Sequence, residues 1–260
     1  MHRYPLFKNE LVSVSDLRCR NVEAPAMPEE ESTSHQVVFV RSGMFVKHIG
    51  RTRIVAEPAH VVFFNKGETF RVSHPSRGDD CTSLACSPEI TSVLMTGGVD
   101  GDTDFPSALR HARVRPSALI DYQLLRLALR DGLFTALEAE ERTLNLLREI
   151  VRDALLASPK RASAGRRSTL VYRRRIVEET KLLLAMNPSA SFSLTDLARC
   201  VASSPFHLSR IFRAETGIPI HQYLLRLRLG LALERLASGS HNLSELALSL
   251  GFASHSHFTT

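Results

Sequence analysis

The sequence predicts an α+β protein, with an N-terminal antiparallel β-barrel or sandwich followed by helices, then a C-terminal all-α part. Three observations carry this reading. Short apolar or alternating runs broken by Gly and Pro fill residues 36–74, the spacing of a small antiparallel sandwich or barrel. From about Pro116 the apolar period becomes helical. The charge also divides unevenly. Residues 1–157 hold 19 Lys and Arg against 21 Asp and Glu, a net −2, whereas residues 158–260 hold 14 against 6, a net +8. The 260 residues suffice for two cores, at roughly 100–200 residues per domain. A basic part beside a near-neutral one is the footprint of a polyanion-binding module joined to another function.

Strands are expected at Gln36–Val40, Met44–Ile49, Thr52–Val55, His60–Phe64 and Phe70–His74. The breaks between them are Arg41-Ser42-Gly43, Gly50-Arg51, Glu57-Pro58 and Asn65-Lys66-Gly67-Glu68. Residues 76–106 read as looser connections, with one more strand near Thr82–Ala85. Leu119–Leu129 is expected as a helix ended by Asp131-Gly132, and Thr135–Ala157 as a longer one. On the longer helix Leu137, Leu144, Leu147, Val151, Ala154 and Leu155 make an apolar stripe at three-four spacing. Such a stripe packs on its own core or, as a coiled-coil seam, pairs two chains into a homodimer through 135–157. Residues 158–168 hold Pro159, Gly165, Lys160, Arg161, Arg166 and Arg167 without an apolar period. They predict a basic linker over 158–170 between a domain of residues 1–157 and one of residues 171–260.

Several function classes are set aside. The first residues lead into no apolar h-region, so no secretory signal is expected. No run approaches the roughly 18 apolar residues of a membrane span, and a cytoplasmic protein without membrane contact is expected. Cys19, Cys81, Cys86 and Cys200 are scattered and form no CxxC pair, which predicts reduced thiols. His35, His48, His60 and His74 stand singly, whereas metal sites need clustered ligands. His74, Asp79, Asp80, Cys81 and Cys86 are close enough in sequence for a metal or redox site. Their spacing matches no established ligand pattern, so no metal and no cofactor are assigned.

After the linker the chain reads as helix and turn only. Val171–Met186 is an amphipathic helix, with Ile176, Val177, Thr180, Leu183 and Leu184 on one side, stopped by Asn187-Pro188. Ser193-Leu194-Thr195-Asp196-Leu197-Ala198 then recurs 49 residues later as Asn242-Leu243-Ser244-Glu245-Leu246-Ala247. Each copy opens on an N-cap residue with an acid three positions on. In the first copy the turn Val201-Ala202-Ser203 precedes a new cap at Ser204 with Pro205 behind it. In the second, Leu250-Gly251-Phe252 precedes Ser254. Gly251 sits where a left-handed helix end is wanted, and Ala202 in the equivalent place predicts strain of about 1 kcal/mol.

Two short capped helices joined by about three residues make a helix-turn-helix; two copies in a basic part point to DNA. Residues 219–237 between them predict one helix about 28 Å long. A spacer of that length sets two reading helices about one DNA turn apart, roughly 34 Å. On the first reading helix, Ser204–Glu215, the period turns Leu208, Ile211 and Phe212 inward and leaves Phe206, His207, Ser209, Arg210 and Arg213 outward. An Arg pairs bidentately with a guanine edge, Ser donates or accepts, and an aromatic meets a thymine methyl. Arg210 is therefore expected to read bases with Phe206 and Ser209, while Arg213 and His207 suit bases or phosphate. Arg226 and Arg228 on the spacer are phosphate contacts or solvated charges. In the second unit His255, Ser256, Thr259 and Thr260 are the outward set and Phe258 packs inward.

These residues closely resemble the AraC/XylS transcription regulators. The likeness runs through Ser193–Ala198, Ser204–Arg213, Thr216-Gly217-Ile218-Pro219, Gln222-Tyr223-Leu224 with Arg228-Leu229, and Leu250–Ser254 through Phe258. It implies that the outward residues of both reading helices contact operator DNA. It also implies a cupin-like N-terminal sensor domain for a small-molecule effector, dimerisation through the helices of residues 119–157, and activation of nearby genes by contact with RNA polymerase. Inward apolar positions such as Phe39, Phe45, Val62, Phe64 and Phe70 are the expected effector lining. Relatives continue past the position of Thr260, so the second unit is expected to be truncated here, with DNA bound weakly and through the first unit alone. The cupin-fold enzyme with an appended DNA-binding part is the alternative. The lack of a His-x-His pattern in residues 1–157 argues against it, and no catalytic residue is assigned.

Overall fold

The computed structural model describes residues 1–20, 28–58, 60–75, 78–96, 109–157, 167–239, 242–252 and 258. The chain divides into two compact units, Met1–Ser158 and Pro159–Thr260.

Unit 1 is mostly antiparallel β structure. Its described elements are β1 (His2–Lys8), β2 (Val12–Cys19), β3 (Glu30–Glu31), β4 (His35–Gly43), β5 (Phe45–Ile49), β6 (Thr52–Ala56), β7 (His60–Phe64), β8 (Thr69–Ser73) and β9 (Asp79–Cys86). Helix α1 (Pro88–Thr96), the short strand β10 (His111–Arg113), α2 (Pro116–Arg130) and α3 (Ala136–Ala157) follow. A six-stranded sheet runs β1-β2-β9-β4-β7-β10 and a four-stranded one β3-β8-β5-β6. The expected antiparallel architecture with attached helices is present.

The large sheet is covered on both faces, and the period of two along each strand decides which residue goes where. On β2, β4, β7 and β9, one set packs against α2 and α3: Val12, Val14, Val37, Phe39, Val61, Phe63 and Leu84. The alternate set, Leu17, Val38, Val40, Val62 and Cys81, closes with Phe45, Ile54 and Ala56 of the smaller sheet into a second core. Phe39 therefore does not line the sandwich interior as expected. It stacks on Tyr122 of α2, with ring centroids 4.0 Å apart and planes within 5°.

Beneath that stack lies a buried polar network. Tyr122 donates to Thr82 Oγ1 at 2.7 Å and Thr82 donates to Asp16 at 2.7 Å. Arg126 Nε and Nη2 reach the Asp16 carboxylate at 3.0 and 2.8 Å, and Arg41 stands 3.7 Å from it. On α3 the buried face is Ala139, Thr143, Leu146, Leu147, Ile150, Val151 and Ala154. Leu137 and Leu155, expected on the stripe, are exposed; the helix starts at Ala136, and its first and last turns overhang the core.

Unit 2 is all helical: α4 (Arg167–Met186), α5 (Leu194–Cys200), α6 (Pro205–Thr216), α7 (Ile220–Ala237) and α8 (Leu243–Ser249). Helix α4 begins four residues before the expected Val171. Nothing after Gly165 breaks a helix, and Arg is a good helix former. The rest of the expected linker, 158–166, lies outside the described residues. Three of the four expected caps are formed, and the fourth, Ser254, lies outside the described residues. Ser193 accepts from Asp196 N, Ser204 from His207 N and Asn242 from Glu245 N, at 3.1, 3.3 and 3.1 Å. A first core joins α4 to α7 through Ile176, Leu184, Leu208, Phe212, Tyr223 and Leu227. A smaller one holds Ala232, Leu246, Ala247, Leu250 and Phe252, with Phe258 against it.

Ala202 in the first turn has φ of 50°, the left-handed conformation expected there. Relief of left-handed strain is worth about 1–2 kcal/mol, and added glycine freedom in the unfolded chain takes back about 0.4–1 kcal/mol. Ala202→Gly is therefore expected to stabilise unit 2 by about 0.5 kcal/mol, read as a higher denaturation midpoint. A lower midpoint would show that the turn carries no strain.

Candidate nucleic-acid interface and barrel cavity

Helix α6 has two unlike faces. Leu208, Ile211 and Phe212 are fully buried, and Phe212 meets Tyr223 edge-on at 5.3 Å. On the outer side Ser209, Arg210 and Arg213 are exposed, His207 is half-buried, and Phe206 is 79% exposed. One exposed aromatic is not by itself a contact surface; Phe206 is a candidate because it shares its side of the helix with Ser209, Arg210 and Arg213. Arg210 Nη2 lies 3.5 Å from His207 Nδ1 one turn earlier, so the two side chains lean together along the exposed ridge. The five residues expected on the first reading helix thus fall on one side of it.

The second unit is described only in part. Helix α8, the turn and Phe258 are in place, with Phe258 packed edge-on against Phe252 at 5.0 Å. His255, Ser256, Thr259 and Thr260 lie outside the described residues.

The structure corrects one phosphate candidate. Arg228 points inward from α7. Its Nε donates to Pro188 O at 2.7 Å, Nη1 to Gly251 O at 2.7 Å and Nη2 to Ala190 O at 3.1 Å. Burial pulls its pKa below the usual guanidinium value. One side chain thereby ties the turn after α4 to the turn after α8. Sequence reasoning missed this because an arginine on a basic helix is indistinguishable from a solvated or phosphate-binding one until its carbonyl partners are known. Arg226 stays half-buried on the same helix.

Unit 1 contains a cavity of about 270 Å³ between its two sheets. Phe45, Phe64 and Phe70 line it, as expected, with Val38 and Val72. Val62 sits in the adjoining core and is not part of the lining. Phe64 and Phe70 meet edge-on at 4.8 Å, and fully buried Lys47 lies 4.0 Å over the Phe64 ring. Its ammonium donates to Phe63 O at 2.8 Å and pairs with Glu68 at 2.5 Å. Burial lowers its pKa, with Glu68 opposing.

One wall of the cavity is polar, and the short-range group expected from sequence divides there. Asp80 faces away and pairs with Arg18 and Arg20 at 3.1 and 3.0 Å, while Cys86 contacts Thr91 at 3.1 Å. His74, Asp79 and Cys81 turn inward and meet Cys19, a residue sequence reasoning left out because it lies 55 positions from His74. His74 Nδ1 is 2.5 Å from Asp79 Oδ2, and Cys81 Sγ donates to Asp79 Oδ1 at 3.0 Å. Burial and the Asp79 charge push the Cys19 thiol up to about 11, and the same two causes raise Cys81. The other single histidines have ordinary partners: His60 pairs with Glu57, His48 with Ser73, and His35 Nδ1 accepts from Lys66 N at 3.4 Å.

Residues 197–260 match a family model described as a helix-turn-helix domain. Over 80 residues, 31% of this chain, the sequence is 34% identical to an uncharacterized HTH-type transcriptional regulator, YfiF, of Bacillus subtilis. The match spans only 26% of that protein's length. Among solved structures, apo ToxT from Vibrio cholerae aligns over 96% of this chain and 92% of its own, at 11% identity and a TM-score of 0.45. Unsaturated fatty acid bound wild-type ToxT aligns over 96% and 90%, at 12% identity and a TM-score of 0.42. No helix among the described residues is long and apolar enough to cross a membrane. Residues 197–260, which hold the second capped helix and the described part of its turn, are thus similar to helix-turn-helix domains.

Proposed function

We propose that the protein is a one-component transcription regulator of the AraC/XylS type that binds double-stranded operator DNA through α6. The observation that carries this is the two-faced helix: a Ser204-capped α6 with a buried apolar side and Phe206, Ser209, Arg210 and Arg213 on the other. Arg210 reads a guanine edge, Phe206 and Ser209 flank it, and Arg213 and His207 meet the backbone or neighbouring bases. His255, Ser256, Thr259 and Thr260 supply the second reading surface. A small apolar effector with a polar end occupies the cavity of unit 1, and its binding shifts how the DNA-binding unit is presented or paired. Two copies pair through residues 135–157, where Leu137, Leu155 and Leu156 are exposed. The output is activation of nearby genes through RNA polymerase.

Selecting bound fragments from genomic DNA with the purified chain defines the site, and Arg210→Ala then tests the reading. It is expected to weaken the selected site by about 1–3 kcal/mol and to relax base preference at one position, while non-specific binding changes little. Equal loss on all sequences would make Arg210 a phosphate contact. Failure of the parent chain to enrich any fragment would count against DNA binding.

A further inference from the structure

We propose that Cys19, His74 and Asp79 form a binding site for a thiophilic transition cation of the zinc class, opening into the cavity of unit 1. One ligand atom from each residue lies within 4.8 Å of the other two, and all three line the cavity. Zinc holds sulfur at about 2.3 Å and nitrogen or oxygen at about 2.0–2.2 Å. Ligand atoms around one ion are then about 3.5 Å apart, so binding would draw the three groups together from their present separation of up to 4.8 Å. A mixed sulfur, nitrogen and oxygen set suits zinc and its neighbours and not magnesium or calcium, which take oxygen.

The backbone builds the site from two strands and a strand end. Cys19 closes β2 and stands directly opposite Asp79, the first residue of β9, while His74 follows the end of β8. The approach of these segments is unusually close. A Cβ on Gly78 would lie 2.2 Å from Cys19 O, and one on Gly43 would lie 2.2 Å from Gly78 O. Two glycines in the left-handed region, at φ 115° and 71°, let three backbones cross there and hold Asp79 against Cys19. Asp79 is also braced from behind by the Cys81 thiol. Such outer support is what orients ligands in built metal sites. The guanidinium of Arg20 pairs with Asp80 at 3.0 Å and donates to the Cys19 carbonyl at 3.2 Å, which also fixes the backbone of that residue. Three protein ligands leave a fourth position toward the cavity, the arrangement of sites that accept an exogenous molecule.

The site stands independently of DNA binding and of any organic effector, so its test uses neither. The full chain is stripped with a chelator, freed of it under reducing conditions and titrated with Co2+. The expected result is a thiolate-to-cobalt charge-transfer band that saturates at one equivalent per chain and is bleached by Zn2+. Cys19→Ser abolishes the band, His74→Gln weakens Co2+ binding by about tenfold or more, and Cys200→Ser, in unit 2, leaves both unchanged. Circular dichroism reports whether the variants fold, and the parent titration decides the question if Cys19→Ser does not. No band in the parent chain overturns the proposal, as does an undiminished band in a folded Cys19→Ser.

Discussion

Gly251→Ala is expected to destabilise unit 2 by about 2–5 kcal/mol and to open its second half first. Gly251 has φ of 80°. A left-handed alanine costs about 1–2 kcal/mol, and the space is also closed. The added Cβ would meet Ser189 O at 2.4 Å, Ser189 C at 2.9 Å and Arg228 Nη2 at 2.8 Å. Two of these atoms are backbone and cannot swing away. The third belongs to a guanidinium already committed to Pro188, Ala190 and Gly251 carbonyls. Overpacking of this kind adds about 1–3 kcal/mol. Amide hydrogen exchange should show α8 and the Leu250–Phe252 turn losing protection, while α5 and α6 lose less. Unchanged protection in α8 would show that the turn can move aside, and that Arg228 is not the tie described.

Arg126→Met is expected to cost unit 1 about 3 kcal/mol or more, the scale for breaking a buried ion pair by removing one partner. Arg126 and Asp16 are 7% and 9% exposed, so water cannot replace the lost partner. Thr82 still donates to Asp16 and Arg41 stays 3.7 Å away, which keeps the loss near the lower end of the range. The double variant Asp16→Leu with Arg126→Met should recover most of the stability, because removing both charges also removes their desolvation. Chemical denaturation of the chain followed by circular dichroism reads the effect. A single variant as stable as the parent would mean that Asp16 is not dependent on α2 at all.

The legible parts of this protein are those where local chemistry and burial agree. The strands from β4 to β8 alternate between short breaks, and α5, α6 and α8 announce themselves by Ser193, Ser204 and Asn242 caps. Strands β1 and β2 were not read from sequence, for physical reasons. Pro5 interrupts β1, and β2 mixes Ser13, Ser15, Asp16 and Arg18 with Val12, Val14 and Leu17 because both of its faces are covered. An aspartate in a strand suggests solvent, and its burial is explained by distant partners, Arg126 above all, 110 positions away, with Thr82 and Arg41. Helix α1 falls in a stretch whose Gly and acid content reads as loose connection, although Ser87-Pro88-Glu89 is a usable start signal. In the C-terminal unit the exposed ridge of α6 follows from helical period alone. The inward turn of Arg228 and the meeting of Cys19 with His74 and Asp79 depend on long-range folding that spacing does not encode.

Strand β9 lies inside the large sheet, between β2 and β4, with Asp79 and Cys81 toward the cavity and Thr82 and Leu84 toward α2 and α3. Its reading frame is therefore binary. Inserting or deleting one residue would swap the two sets, sending Thr82 and Leu84 to the cavity and Cys81 toward the helices. A two-residue change would keep every side chain on its own side and only slide it along. An odd step is tolerated here only where a bulge takes up the extra residue, as at Val40–Ser42 of the neighbouring β4.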